Sequence, residues 1–378
     1  MGLHKLSVET IVTIIRFLNL QDVLNLRCVC RDMDRLVLRN MIYTGQVDRH
    51  LNDRLWSRLV FEEITHDVSS NENIARIISR LRLLSAEECD AEDCRQAIST
   101  ALVLCKGREW LSQNIKDLIK WTDIWDEGAV MVLGAWLGLK DVVEKLLQSG
   151  VPGESTHEYL GSALYAAAFN DNEPLVALLI GHGVDAWKPQ GAYGDALQLA
   201  AYMGSTNVAR RLLTTRPSKE TFADPFGYGP YGSPLGAAAA GGHEDIVRLC
   251  VEWQPVTRQL GPHLRTPLFY AARSGRVGVT KILLDGGELR PNFDDEFRDT
   301  PLHVAVKRNH HNVVSVLLSS DKIRLDHRRV RGGMKTPLEI AASKGYTNIV
   351  RMLLRRDVNV CQPTYKPPIF MRAIDSWK

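Results

Sequence analysis

Long hydrophobic runs are missing from this chain. The longest uncharged apolar stretch, Ala129 to Leu139, stops at Lys140-Asp141, well short of the ~18 residues that a membrane span needs. The first residues hold no apolar signal stretch. Gly2 invites N-myristoylation, but the position that needs Ser or Thr holds Leu6, and Ser7 comes one place late. Charge of one sign is scarce too. The 47 basic residues stand against 44 acidic ones and leave +3, too small an excess to argue for nucleic acid or an anionic membrane. No Asn-x-Ser/Thr sequon occurs. The seven cysteines (Cys28, Cys30, Cys89, Cys94, Cys105, Cys250 and Cys361) contain no C-x-x-C pair, and their count is odd. Neither a disulfide framework nor a zinc site is expected; buried thiols in a reducing compartment, cytosolic or nuclear, fit better.

Catalytic signatures are absent as well. There is no H-E-x-x-H, no Walker loop, no G-x-S-x-G and no framed Cys-His pair. Gly227-Tyr228-Gly229-Pro230-Tyr231-Gly232 spells G-x-G-x-x-G, but a dinucleotide site needs that loop between a strand and a helix of a βαβ unit. Pro225 and Pro230 interrupt it, so an extended loop is the better reading. His310-His311 lack metal-ligand companions at suitable spacing. No catalytic, cofactor or metal residues are expected, and no enzyme.

What the chain does have is repetition. Between Gly128 and Asp357 it restates one phrase seven times, most clearly as Asp299-Thr300-Pro301-Leu302-His303-Val304-Ala305 closed by Val313-Val314-Ser315-Val316-Leu317-Leu318. One slot after the first helix of each copy holds Gly138, Asp171, Gly204, Gly242, Gly275, Asn309 and Gly345, spaced 33, 33, 38, 33, 34 and 36 residues apart. A short helix ending there needs a residue that tolerates positive φ, and Asn and Asp are the next most tolerant types after Gly. Ser233-Pro234, Thr266-Pro267, Thr300-Pro301 and Thr336-Pro337 pair an N-cap hydroxyl with proline at the first helical position. Leu164, Leu197, Leu235, Leu268, Leu302 and Leu338 form one column, followed by alanine pairs such as Ala200-Ala201. The second helix ends in leucine pairs such as Leu212-Leu213 and Leu353-Leu354; these are core by spacing. His303 reads as a hydrogen-bonding histidine near its helix cap.

Period, cap, alanine pair and leucine pair together resemble the ankyrin repeat family. The resemblance covers roughly Gly128 to Val360, with Gly128–Gly150 as a degenerate first copy. It implies an all-α solenoid of antiparallel helix pairs with β-hairpin loops, whose loops and concave helix face hold a partner protein. Units this short cannot bury their own apolar faces and must stack.

The amino terminus reads differently. Ile11, Ile14, Ile15 and Leu18 make one helical stripe, and Asp22 is placed to cap a helix bearing Val23, Leu26, Val29 and Met33. Leu6-Ser7-Val8-Glu9-Thr10-Ile11, Phe17-Leu18, Asp22-Val23 and Leu26-Arg27-Cys28-Val29-Cys30-Arg31 resemble an F-box. With the repeats, the layout is similar to F-box/ankyrin proteins of the fungal kind. The resemblance implies docking of a Skp-type adaptor, and through it a cullin scaffold, by Leu6, Ser7, Glu9, Ile11, Ile14, Leu18, Asp22, Leu26 and Val29. Ser7 stands where proline is usual, which bears on adaptor affinity. Four segments are expected: the F-box-like helical module at 1–45, a helical linker or cap at 46–127, about seven repeats at 128–360, and a C-terminal cap or tail at 361–378.

The implied function is non-enzymatic: the substrate-recognition subunit of a Skp-cullin-F-box ubiquitin ligase. A scaffold or transcription co-regulator working without a ligase is the alternative. Target-binding candidates are aromatic residues in inter-repeat loops, namely Trp187, Tyr193, Phe226, Tyr228, Tyr231, Phe293 and Phe297. Such residues favour interfaces, although rings that fold back over the stack would look the same. Arg328, Arg329 and Arg331 in the basic run beside Lys335 are candidates too, against the reading of a solvated loop.

Overall fold

Whether the repeated phrase makes helix pairs is answered by a computed structural model. It describes residues 68–85, 90–114, 126–158, 160–215, 229–253, 265–286, 291–295, 299–326 and 335–356. The F-box-like module and its nine docking candidates lie outside the described residues. The described chain divides into two compact units, 68–166 with 181–184, and 167–180 with 185–356.

In the first unit, α1 (Val68–Leu84) and α2 (Ala91–Asn114) pack on each other and on a shorter pair, α3 (Glu127–Trp136) and α4 (Lys140–Gln148). Ile77 and Leu81 of α1 meet Ile98 and Leu102 of α2 in the interior, all at 3% exposure or less. Asp126 caps α3 by accepting from Ala129 N. This degenerate first copy therefore replaces the Thr-Pro start with an aspartate. Two polar ties enter the apolar interior: Trp136 Nε1 donates to Leu160 O at 2.9 Å, and Tyr165 Oη donates to Leu104 O at 3.2 Å. A two-residue hairpin, β1 (Thr156–His157) with β2 (Gly161–Ser162), is antiparallel in the register Thr156 with Ser162. Helix α5 (Ala163–Phe169) follows it.

The second unit contains α6 (Glu173–Gly181) up to Ile180, then five helix pairs: α7 (Ala196–Met203) with α8 (Thr206–Thr214), α9 (Pro234–Gly241) with α10 (Glu244–Trp253), α11 (Pro267–Ser274) with α12 (Val277–Asp285), α13 (Pro301–Lys307) with α14 (His311–Ser319), and α15 (Pro337–Ser343) with α16 (Thr347–Leu354). First helices pack on first helices in order, and second helices on second helices. That is the ankyrin-repeat stack expected from the period.

The causes are local and repeated. Ser233, Thr266, Thr300 and Thr336 each accept a backbone N–H three residues on, with proline next in line. His303 and Glu339 complete capping boxes on Thr300 and Thr336. The leucine column from Leu164 to Leu338 is at most 1% exposed, and Ala237 to Ala239 are fully covered. Side chains this small let neighbouring first helices approach closely. The slot after each first helix has positive φ in all seven copies, including Asp171 at 51° and Asn309 at 59°. One expectation fails in part. Leu353 is buried, but its partner Leu354 is 48% exposed.

A feature absent from the sequence reading ties consecutive pairs together. The last carbonyls of an α-helix lack intrahelical donors. Here, at five of the seven slots, the carbonyl two residues before is taken by a side chain from the next copy. Ser205 Oγ donates to Phe169 O at 3.5 Å, Arg276 Nε to Ala240 O at 3.3 Å and Lys344 Nζ to Lys307 O at 3.2 Å. His243 Nε2 meets Tyr202 O at 2.9 Å, and His310 Nε2 meets Arg273 O at 3.2 Å. A carbonyl only accepts, so each Nε2 carries the proton. Two glycines make room for this ladder. A Cβ on Gly204 would stand 2.5 Å from the His243 ring, and one on Gly242 would stand 2.6 Å from Arg276. The slot that carries Asp171 is followed by the short Ser205, which needs no such passage.

Candidate protein-binding surface

Folding uses most of each first helix, so the residues left over are few. Along α11, Pro267 through Ala272 are buried, and exposure begins at Arg273. Along α13, Pro301 through Val306 are buried, Lys307 is half-buried and Arg308 is exposed. Along α15, Pro337 through Ala342 are buried, and Ser343 and Lys344 are exposed. The helix ends therefore present Arg273, Arg308 and Lys344 in consecutive copies. Cations suit that place, since the C-terminal end of a helix is its negative pole.

Lys344 donates to Lys307 O, and two other basic groups nearby hold carboxylates. Arg265 pairs with the buried Asp295 at 3.5 Å, and its guanidinium lies 5.3 Å from the centre of the Phe269 ring. Lys307 is paired with Asp299. Among the described residues, no carboxylate forms an ion pair with Arg273, Arg308 or Lys344. Burial, then the like charges of Arg265 and Arg308, push the Arg273 guanidinium below its ordinary value; the hydroxyls of Tyr231 and Tyr270 pull the other way.

The aromatic candidates separate into two groups. Tyr193 is 1% exposed and Tyr231 is 6% exposed. Both belong to an internal file of rings: Tyr193 to Tyr202 at 4.6 Å, Tyr202 stacked on Tyr231 at 5.2 Å, and Tyr231 edge-on to Tyr270 at 5.1 Å. The Tyr270 hydroxyl donates to Pro230 O at 3.0 Å. These rings seal three consecutive copies against one another. Trp187 and Phe293 are half-buried in their loops; the Trp187 backbone N–H is held by Asp185 at 2.9 Å. Phe226, Tyr228, Phe297, Arg328, Arg329 and Arg331 lie outside the described residues, as do Leu6, Ser7, Glu9, Ile11, Ile14, Leu18, Asp22, Leu26 and Val29.

Sequence reasoning passed over Arg273, Arg308 and Lys344. The signal was available: each stands one or two residues before its slot, just past the apolar positions, and of the three Lys344 also serves the ladder by donating to Lys307 O. Sites for chemistry do not emerge. Among the described residues no group of three His, Cys, Asp or Glu side chains is placed to hold a metal ion. Burial pushes the Cys250 thiol up to about 12, which keeps it protonated and a poor nucleophile. Among the described residues no helix is long and apolar enough to cross a membrane.

Comparison with known proteins agrees with the stack. Residues 263–295 match the family model "Ankyrin repeat", and residues 287–364 match "Ankyrin repeats (3 copies)". The chain is 34% identical over 117 residues to the "Putative E3 ubiquitin-protein ligase XBAT31" of Arabidopsis thaliana, covering 31% of this chain and 25% of that protein. It is 32% identical over 87 residues to "Ankyrin repeat and SOCS box protein 5" of Oryctolagus cuniculus, covering 23% of this chain and 26% of that one. The chain thus spans about a quarter of the length of these curated relatives. The crystal structure of the human ASB11 ankyrin repeat domain aligns with 57% of this chain and 97% of its own, at 21% identity and a TM-score of 0.47.

Proposed function

We propose that this chain is the target-recognition subunit of a Skp-cullin-F-box ubiquitin ligase. The repeat stack grips a target protein, and the amino-terminal F-box-like module docks the adaptor. The observation that carries the binding half is the split along each first helix. Six consecutive residues of α11, Pro267 to Ala272, are buried for folding, and a charged side chain is left over at the exposed end. A stack of such units offers a long surface whose outward residues are free to vary. Support for the ligase half comes from the Leu6 to Arg31 pattern, and from the names of two relatives, one a putative E3 ubiquitin-protein ligase and the other an ankyrin repeat and SOCS box protein. The chain itself does no chemistry; it raises the effective concentration of target beside the transferring enzyme.

Ser7 in place of the usual proline favours a second reading, a scaffold or transcription co-regulator that works without a ligase. Co-purification separates the two. A Skp-type adaptor is expected to come down with the intact chain and to be lost with Ile14→Asp or Leu18→Asp. An intact chain that never retrieves the adaptor ends the ligase reading and leaves the scaffold.

A further inference from the structure

Helix α15 is buried on more sides than its described neighbours cover. An interior first helix has three neighbours: α13 packs on α11, on α15 and on its own second helix α14. Among the described helices, α15 packs on α13 and α16. Six consecutive residues at 3.6 per turn point in every direction around a helix, so a missing neighbour should bare part of the run Pro337 to Ala342. It does not. Ile340 is 4% exposed, against 7% for Val304 at the same place in α13, and Leu338, Ala341 and Ala342 are buried like their counterparts. The second helix differs. Leu354 is 48% exposed, whereas Leu318 at the same place in α14 is 6% exposed. Cover beyond α13 and α16 thus falls on the first helix of this pair and spares the end of the second.

The chain beyond α16 restates the first-helix phrase. Two columns hold in every copy from Leu164 on: the leucine (Leu164 to Leu338) and, three places later, an alanine (Ala167, Ala200, Ala238, Ala271, Ala305 and Ala341). Phe370 and Ala373 keep that spacing 32 residues after Leu338 and Ala341, close to the commonest period of 33, and Ile374 follows Ala373 as Val306 follows Ala305. Pro368-Ile369 stands where Thr336-Pro337 begins the preceding copy. Residues 355–368, fourteen in all, would join α16 to this phrase; thirteen (254–266) join α10 to α11 and fifteen (286–300) join α12 to α13. We propose that residues 369–375 form the unpaired first helix of an eighth unit, docked on the side of α15 that faces away from α13. A first helix alone suits both exposures. First helices pack on first helices, so it shelters Ile340 and does not reach Leu354. The stack then closes against its own chain rather than against a second copy, and closure of its ends is what keeps such a stack soluble.

The test is peptide-resolved hydrogen exchange on the purified full chain. Phe370→Asp puts a charge in the leucine column and is expected to speed exchange in 337–343 about tenfold or more, as α15 loses one of three neighbours. Ser376→Asp adds the same charge at the place held by the exposed Arg308 and Lys344 in the preceding copies, and is expected to change those rates less than about twofold. Exchange in α7 and α9 should stay within about twofold in both variants, which separates undocking of one helix from loss of the stack. Should Phe370→Asp unfold the chain, as seen by circular dichroism, Phe370→Ala replaces it, with the same ordering expected. Equal effects of the two variants, or no effect of Phe370→Asp, would overturn the inference. So would protection of 337–343 that falls when the wild-type chain is diluted, because cover supplied by a second copy depends on concentration.

Discussion

Gly204→Ala is the sharpest test of how the stack is held together. Gly204 sits at φ 92° after α7, where an alanine costs about 1–2 kcal/mol for the left-handed conformation alone. The added methyl would stand 2.5 Å from His243 Cε1 and 2.6 Å from His243 Nδ1. The ring must swing away, and its hydrogen bond to Tyr202 O goes with it, a further ~0.5–1.5 kcal/mol. Gly138 supplies the contrast. Its φ is 78°, but nothing lies within 4 Å of its hypothetical Cβ, so Gly138→Ala should show only the conformational cost of about 1–2 kcal/mol. Hydrogen exchange read peptide by peptide measures both as local opening free energies, which avoids assuming a single cooperative transition in a repeat array. Gly204→Ala should lower protection in α7 and α10 by roughly 2–3 kcal/mol. In a double-mutant cycle, His243→Ala should relieve part of that loss, with a coupling of about 0.5–1.5 kcal/mol. Equal losses at Gly204 and Gly138 with no coupling to His243 would refute the ladder as a source of stability.

Three further outcomes are expected. Leu302→Ala deletes a side chain that is 1% exposed and should cost about 2–5 kcal/mol in urea denaturation; a loss below ~0.5 kcal/mol, ordinary for a surface site, would contradict its place in the core. His243 is held below the ordinary imidazole value by burial and by Arg276, against its bond to Tyr202 O, and His310 by burial and by Arg308, Arg276 and His311, against its bond to Arg273 O. Because the native values are lowered, the unfolded chain binds more protons as pH falls below about 6.5. Stability is therefore whole above that pH and declines beneath it, and the double variant His243→Gln, His310→Gln should flatten the decline in urea midpoints. Cys250, buried with its thiol pushed up to about 12, should react with iodoacetamide only as fast as the chain opens; alkylation at the rate of a free thiol would place it on the surface.

The stack was legible in the sequence because its causes are local and recur. A Thr-Pro start, a buried leucine and a slot tolerant of positive φ each act within one copy, so alignment of copies exposes them. Asp171 and Asn309 at the slot were as readable as glycine, since the reason for glycine there was conformational. The ladder was harder. Its donors Ser205, His243, Arg276, His310 and Lys344 share no residue type, because a carbonyl accepts from a hydroxyl, an imidazole, a guanidinium or an ammonium alike. Only their common place beside the slot marks them, and their partners lie 36 to 41 residues away. The aromatic loop candidates show the opposite limit. Composition identifies Tyr193 and Tyr231 as aromatic residues in loops, but it carries no information on which way a ring turns, and these two turn inward.

That contrast bears on where a repeat protein stores its specificity. Replacing a column residue such as Leu302 costs several kcal/mol, a large share of the total for a marginally stable fold. Replacing an exposed residue such as Arg308 usually shifts stability by less than about 0.5 kcal/mol. Each unit touches only its neighbours, so a change at one helix end stays local. Periodicity therefore reveals the positions that folding constrains and is silent at those it leaves open. Arg308 belongs to the second class, whereas Lys344, which donates to Lys307 O, is shared between the two. At Arg308 the stack would stand nearly as well with another residue.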